Sequence, residues 1–289
     1  MNLDSFSKAT NILRFHIEPA GYGATLSRLM SATSLCIKLD AAMIFTIESG
    51  YLVNELFDIG AFQTSPSRTK KVFNWNFFRD TWDNPSRNET VYPSCPYDAS
   101  MSKHVWASLM AKALFGNPKA VLRAHIADQK TRIRWDDYEI HIGLHIRRGD
   151  KTMEHPHVPV PIYLRFLEEE LKRYDGKKVG IYLSSDDPSV RQEIPYENVL
   201  WDDTEQRYNN SNINMVRSSP HLAAQESITA ARIICMFGEC DAVIGLENTQ
   251  FTWIGGLLMK NFDPERHIMI NPRTGIRGHW GAMYTTPAQ

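Results

Sequence analysis

From Tyr138 onward the chain alternates short β-branched runs with longer amphipathic ones, and that alternation restricts it to βαβ units around a parallel sheet. Strands are expected at Ile140–Arg147, Lys178–Ser184, Asn198–Trp201, Asp241–Glu247 and His267–Asn271. Helices are expected at Ile162–Tyr174, Leu222–Phe237 and Thr249–Lys260. The first half begins alike, with a strand over Asn11–Glu18, a Gly21-Tyr22-Gly23 turn, a helix over Ala24–Leu39 and a strand over Ala42–Thr46. Leu26, Leu29, Met30, Thr33 and Ile37 form the stripe of that helix. Between Phe62 and Ser102 the aromatic, Asn and Pro content follows no period, so loops or short helices are expected there. The expected fold class is α/β, with two lobes over residues 1–137 and 138–289 and a cleft between them that binds a ligand.

With 289 residues, 43% of them hydrophobic, the chain is long enough for one large or two medium domains. A formal net charge of −1 with interleaved signs argues against a nucleic-acid partner. No apolar run is long enough for a transmembrane segment, and the N-terminus lacks a secretory pattern. Cys36, Cys95, Cys235 and Cys240 are too scattered for a disulfide framework. The expectation is a cytoplasmic protein of a reducing compartment, from a microbial or viral source.

The strand from Ile140 runs into His145-Ile-Arg-Arg-Gly-Asp-Lys151, which sets Arg147 and Arg148 at a strand's carboxyl end. Open α/β sheets bind ligands at that end. An arginine fork there matches phosphate oxygens and keeps its charge. The plainer reading is a turn with surface salt bridges. Polar groups follow two more strands, in Ser184-Ser-Asp-Asp-Pro188 and in Glu247-Asn-Thr-Gln250. Pro188 suits a helix start, and Asn248 or Thr249 suits a helix cap. Free N–H groups at such a start also form an anion site. Glu154 lies just beyond the arginines, where a carboxylate can serve as general base to a hydroxyl or simply sit on a Pro-stiffened loop. His155 and His157, separated by one Pro, lack an obvious third zinc ligand. No Asp-x-Asp motif offers the carboxylates that hold Mg²⁺ or Mn²⁺ in many nucleotide-sugar enzymes. No metal and no cofactor is therefore expected.

These segments resemble the α-1,6-fucosyltransferases, the group that includes the N-glycan core enzyme and the rhizobial nodulation enzymes. The first motif is similar to His145–Lys151, the second to Tyr182-Leu-Ser-Ser-Asp-Asp-Pro-Ser189, and the third to Asp241–Gln250. Gly21-Tyr-Gly-Ala-Thr-Leu26 is similar to the glycine-bearing loop that opens the family's first lobe. The resemblance implies a GT-B-like pair of Rossmann-like lobes, with 1–137 on the acceptor side and 138–289 binding the nucleotide-sugar. It implies an inverting, metal-independent transfer to a glycan or glycoprotein. Arg147 then grips the donor β-phosphate, His145 sits near the base, and Glu154 is the catalytic base. Arg148, Asp187, Asn248, Thr249, Gln250, Gly21, Tyr22 and Gly23 complete the implied donor site.

Two departures bear on that reading. Asp150 and Glu154 are one residue closer than the family pattern. Ile233 occupies the place of an aspartate that contacts guanine in the family, and isoleucine accepts no N–H. Set beside the family, the chain is also expected to be without its anchor, stem and C-terminal domain. The donor is therefore GDP-fucose, as the resemblance implies, or a UDP-sugar such as UDP-xylose. Glu226 and Arg232, near Ile233, either read a base or form a solvated helix face. The segment around Trp75 to Tyr97 is expected to set acceptor choice, with Trp75, Trp82 and Tyr92 stacking on sugars or packing in a core. A non-catalytic nucleotide-sugar or glycan-binding module is the alternative function; it keeps Arg147 and has no use for Glu154.

Overall fold

The computed structural model describes residues 11–17, 21–39, 41–47, 51–59, 71–76, 100–149, 157–207 and 219–278. The first half carries β1 (Asn11–Ile17), α1 (Tyr22–Lys38), β2 (Ala41–Ile47), β3 (Lys71–Asn76), α2 (Lys103–Phe115) and α3 (Ala120–Arg132). The second carries β4 (Ile140–Ile146), α4 (Val160–Arg173), β5 (Val179–Ser185), α5 (Val190–Glu193), β6 (Val199–Leu200), α6 (Pro220–Gly238), β7 (Ala242–Leu246), α7 (Gln250–Leu257) and β8 (His267–Ile270). Two sheets result, ordered β2-β1-β3 and β6-β5-β4-β7-β8, and their strands pair in parallel. In the second sheet the chain moves outward from β4 through β5 and β6, then returns to the other side of β4 as β7. The winding therefore reverses between β4 and β7, and a crevice opens beyond the carboxyl ends of these strands.

Alternation along β4 decides which groups reach that crevice. Ile142, Leu144 and Ile146 pack on one face with Tyr163, Phe166 and Leu167 of α4. His141, Gly143 and His145 turn to the opposite face, where α6 and α7 lie. Gly143 is needed for that approach, since a Cβ there would stand 2.6 Å from the Phe237 ring. The same rule splits β7, with Ile244 and Leu246 beside α4 and Val243 on the other side.

The larger core cluster joins the two halves. It runs from Leu26 and Leu29 of α1, through Trp106, Met110 and Leu114 of α2, to Ile234, Phe237, Trp253 and Leu257 of α6 and α7. Polar contacts cross the same boundary: Ser108 Oγ donates to Leu257 O (2.6 Å), and Leu52 N donates to Ser227 Oγ (3.0 Å).

Three expectations are corrected. Tyr22 and Gly23 belong to the first turn of α1 rather than to a turn before it, with Gly21 as the N-cap residue. Gly23 is a packing glycine: a Cβ would lie 2.8 Å from Gln250 Cβ and 2.9 Å from the Phe251 ring. Within the unpatterned stretch, Lys71–Asn76 forms a strand because it pairs with β1, a partner more than fifty residues away in sequence. Helices α2 and α3 stand outside the expected elements. The face of α2 is apolar almost all round, with Trp106, Ala107, Met110, Ala111, Leu114 and Phe115 buried, while α3 buries only Leu122, Ile126 and Gln129. Neither presents the one-sided stripe from which an amphipathic helix is recognised. Ser102 caps α2 by accepting from Val105 N (3.3 Å).

Candidate functional site

At the crevice predicted by the winding lies a cavity partly open to solvent. Its walls come from the end of β4 (His145, Arg147), the end of β5 (Ser184, Ser185, Asp186), the loop after β6 (Glu205, Gln206, Arg207), α6 (Glu226, Thr229, Ala230, Ile233) and Phe251 of α7. Register explains the first two: His145 pairs with Ser184 and Ile146 with Ser185, so both strands end level beneath the cavity.

Arg147 and Arg148, adjacent in sequence, part company here. Arg147 continues the His145 side of β4 and lines the cavity. Arg148 turns to α5, where its guanidinium pairs with both oxygens of Glu193 (Nη2–Oε2 2.7 Å) and stands 3.5 Å from Asp187. Those two acids, with Glu193 foremost, raise the guanidinium pKa further above its ordinary value. Asp187 also accepts from Ser189 N (2.9 Å) and Ser189 Oγ (2.7 Å), closing the turn into α5. Neither Arg148 nor Asp187 lines the cavity.

Asp186 organises the turn that carries Arg147. Its two carboxylate oxygens accept from Arg148 N (2.8 Å) and Gly149 N (2.8 Å), and Oδ2 stands 3.8 Å from Arg147 Nε. A buried carboxylate that collects two backbone N–H groups is a rigid brace. The sequence motif contains Asp186 and Asp187 side by side, and nothing in their spacing tells brace from turn.

His145 is buried, with Nδ1 2.7 Å from Thr252 Oγ1 and its ring flanked by Phe237 and Phe251. Burial, and then the Arg147 charge, hold its pKa down to about 3, so the imidazole is neutral near pH 7. Thr249 is the N-cap residue of α7, but its hydroxyl makes no cap bond. It donates to Leu246 O (2.8 Å) and meets Thr252 Oγ1 (2.7 Å). Thr249 thus joins His145 through Thr252, while Asn248 and Gln250 flank it outside the cavity wall. Gly21, Tyr22 and Gly23 stand at the start of α1, where Gly23 packs on Gln250 and Phe251 at the start of α7. From there a chain of contacts reaches the cavity: Tyr22 meets Tyr51 edge-on (5.5 Å), and Tyr51 Oη donates to Glu226 Oε2 (2.8 Å).

The far wall holds a buried ion pair, Arg232 Nη2 to Glu205 Oε1 (2.7 Å), with Gln129 Nε2 on the same oxygen (3.1 Å). Arg207 donates to Glu205 O and Asp202 O (2.8 Å each) and lies 3.9 Å over the Trp201 ring. Asp202 in turn accepts from Arg132 of α3 (2.9 Å). Sequence reading did not select Asp186, Glu205, Arg207, Thr229, Phe251 or Thr252. Glu205 and Arg207, in a loop with no period, left no signal; Asp186, Phe251 and Thr252 lie inside or beside the recognised motifs, and Thr229 lies on α6 between Glu226 and Ile233.

Glu154 and His155 lie outside the described residues. His157 Nε2 stands 2.7 Å from Arg148 O, which requires it to donate. Among the described residues, no three His, Cys, Asp or Glu side chains gather closely enough to hold a metal ion. Among them too, no helix is long and apolar enough to cross a membrane.

Two parallel α/β sheets, with a polar crevice lined by Arg147 at a switch point, give a GT-B-like fold. Solved structures with this architecture bear that out. A NodZ α-1,6-fucosyltransferase soaked with GDP-fucose superposes with a TM-score of 0.53 at 14% identity, over 93% of this chain and 97% of that one. Fucosyltransferase NodZ from Bradyrhizobium matches with a TM-score of 0.50 at 13% identity, over 86% and 92%. At such identities the likeness is one of fold. No family model matches the sequence, and no curated protein does.

Proposed function

We propose that the chain is an inverting glycosyltransferase that moves one sugar from a nucleotide-diphosphate sugar to a glycan hydroxyl without a metal. The observation that carries this reading is Arg147, braced through Asp186 and facing a cavity at the switch point of a parallel sheet. In the reaction, Glu154 takes the proton of the acceptor hydroxyl and the acceptor oxygen bonds to the anomeric carbon from the face opposite the leaving group. The bond from that carbon to the diphosphate oxygen breaks, and its electron pair stays on the diphosphate. Arg147 stabilises the charge that develops there.

The donor in this reading is a GDP-sugar, GDP-fucose by default, although Ile233 offers guanine no acceptor. Glu226 lies two turns earlier on the same face of α6 and brings a carboxylate to the cavity. A carboxylate takes two neighbouring guanine N–H groups, whereas uracil presents one N–H between two carbonyls. The acceptor is a glycan or glycoprotein, met by the stretch around Trp75 to Tyr97, of which Lys71–Asn76 is a described strand.

The test is a thermal-shift series with GDP, UDP, GDP-fucose and UDP-xylose, in EDTA and then in Mn²⁺, followed by transfer assays. A ligand at a hundred times its Kd adds about 2.7 kcal/mol, or roughly 5 °C. Selective stabilisation by GDP in EDTA is expected. Selective stabilisation by UDP, or an absolute need for Mn²⁺, replaces the donor or the mechanism. Glu154→Gln is expected to lower kcat and leave donor affinity unchanged; an unchanged transfer rate overturns the base assignment, and a wild-type chain that binds donor but transfers nothing returns to the non-catalytic alternative.

A further inference from the structure

We propose that Thr249 and Thr252 form a hydroxyl relay that holds His145 as its Nδ1–H tautomer, so that Nε2 accepts an O–H or N–H of the bound nucleotide. The nucleotide half of this inference rests on the functional reading above; the tautomer half does not.

The direction of every bond in the relay follows from its one fixed end. Leu246 O can only accept, so Thr249 spends its single hydroxyl proton there at 2.8 Å. Thr249 Oγ1 must then accept from Thr252, 2.7 Å away. With its own proton spent, Thr252 Oγ1 can only accept from His145 Nδ1 at 2.7 Å. Reversing any member sets two lone pairs against each other inside a protein core, where Thr249 and Thr252 are 3% and 0% exposed. The carbonyl thus dictates the histidine's proton position through two intervening side chains.

The ring cannot turn to escape this assignment. Phe237 and Phe251 stand 5.7 and 5.9 Å from it, and Gly245 gives Thr252 the space to approach, since a Cβ there would collide with the threonine side chain. Burial and the neighbouring Arg147 keep the imidazole neutral, so one nitrogen stays unprotonated. His145 is 3% exposed and lines the cavity, and among the described residues no hydrogen bond reaches Nε2. The polar group it presents there is therefore an acceptor, set beside the cationic Arg147.

A division of labour follows. Arg147 takes phosphate oxygens, which have no proton to give. Nε2 repels those oxygens and selects a ligand hydrogen, either a ribose hydroxyl or a base N–H. Thr249 and Thr252 are positioning residues in this scheme, acting through His145.

The experiment is ¹⁵N-detected NMR of the histidine rings in the full chain, with His145 assigned by its loss in His145→Gln. A pyrrole-type shift at Nδ1 and a pyridine-type shift at Nε2, steady across neutral pH, are expected. The opposite pattern overturns the relay. Thr252→Val removes the acceptor without changing shape and should move the proton toward Nε2, whereas Thr252→Ser should keep the wild-type pattern. GDP affinity should fall about 5- to 10-fold in Thr252→Val, the worth of one hydrogen bond, and be nearly unchanged in Thr252→Ser. A tautomer that moves with no loss of GDP affinity overturns the ligand role. A wild-type chain with the expected tautomer that binds neither GDP nor UDP overturns the nucleotide assignment together with the functional reading.

Discussion

Arg147→Ala is expected to lower kcat by about 100- to 1000-fold, the usual cost of removing one preorganised group from a developing charge. The departing diphosphate gathers negative charge as the sugar leaves, and Arg147 brings a cation to the cavity from the end of β4. Asp186 keeps the turn that follows Arg147 in place through Arg148 N and Gly149 N, so the backbone should survive the substitution. Affinity for the free nucleoside diphosphate should fall as well, because product and transition state share the phosphate contact. Arg147→Lys should recover only part of the loss, since an ammonium lacks the planar fork. Arg148→Ala gives the contrast: its guanidinium serves Glu193 and Asp187, so that variant should lose stability more than donor affinity. Wild-type kinetics in Arg147→Ala would falsify the proposed mechanism.

The second large effect is on folding. Arg232→Met is expected to destabilise the chain by about 3–5 kcal/mol, because it strands the Glu205 carboxylate in the core. Burial already raises the Glu205 pKa above its ordinary value, and Arg232 is the chief influence holding it down. Without Arg232 the folded-state pKa rises further, while in the unfolded chain it keeps its ordinary value of 4.5. The variant's stability should therefore be greatest below that value and decline as pH rises toward neutrality, where ionised Glu205 keeps only the weaker influence of Arg207. Urea melts at acidic and neutral pH measure this directly. The Arg232→Met, Glu205→Met pair should restore much of the loss, because the charge is removed with its partner. A neutral-pH change under about 1 kcal/mol would show that water reaches Glu205.

Much of this arrangement was open to inspection in one dimension. The alternation of β-branched and amphipathic runs after Tyr138 states a parallel sheet, and the strands from Ile140, Lys178, Asp241 and His267 appear within a few residues of their expected bounds. Period two along His141–Ile146 also separates two faces, although it leaves Arg147 and Arg148 as equal candidates at the strand's end. Local rules reach no further where a residue's role depends on a distant partner. Lys71–Asn76 is a strand through β1, and Gly23 is a glycine through Phe251. Thr249 has the chemistry of a cap, yet spends its hydroxyl on Leu246 O because Thr252 and His145 complete a better network.

By itself, then, the sequence determined the α/β class, the strands of the second sheet and the motif that bears Arg147, because backbone period and strand-end position are local properties. Only the tertiary structure decided that Asp186 braces while Asp187 turns, that Arg148 faces α5, and that His145 is buried between two phenylalanines. It also brought Glu205, Glu226 and Ile233 to one cavity. Those outcomes depend on which helix packs on which face of the sheet, and burial sets the charge state and hydrogen-bond direction of each group only once that packing exists.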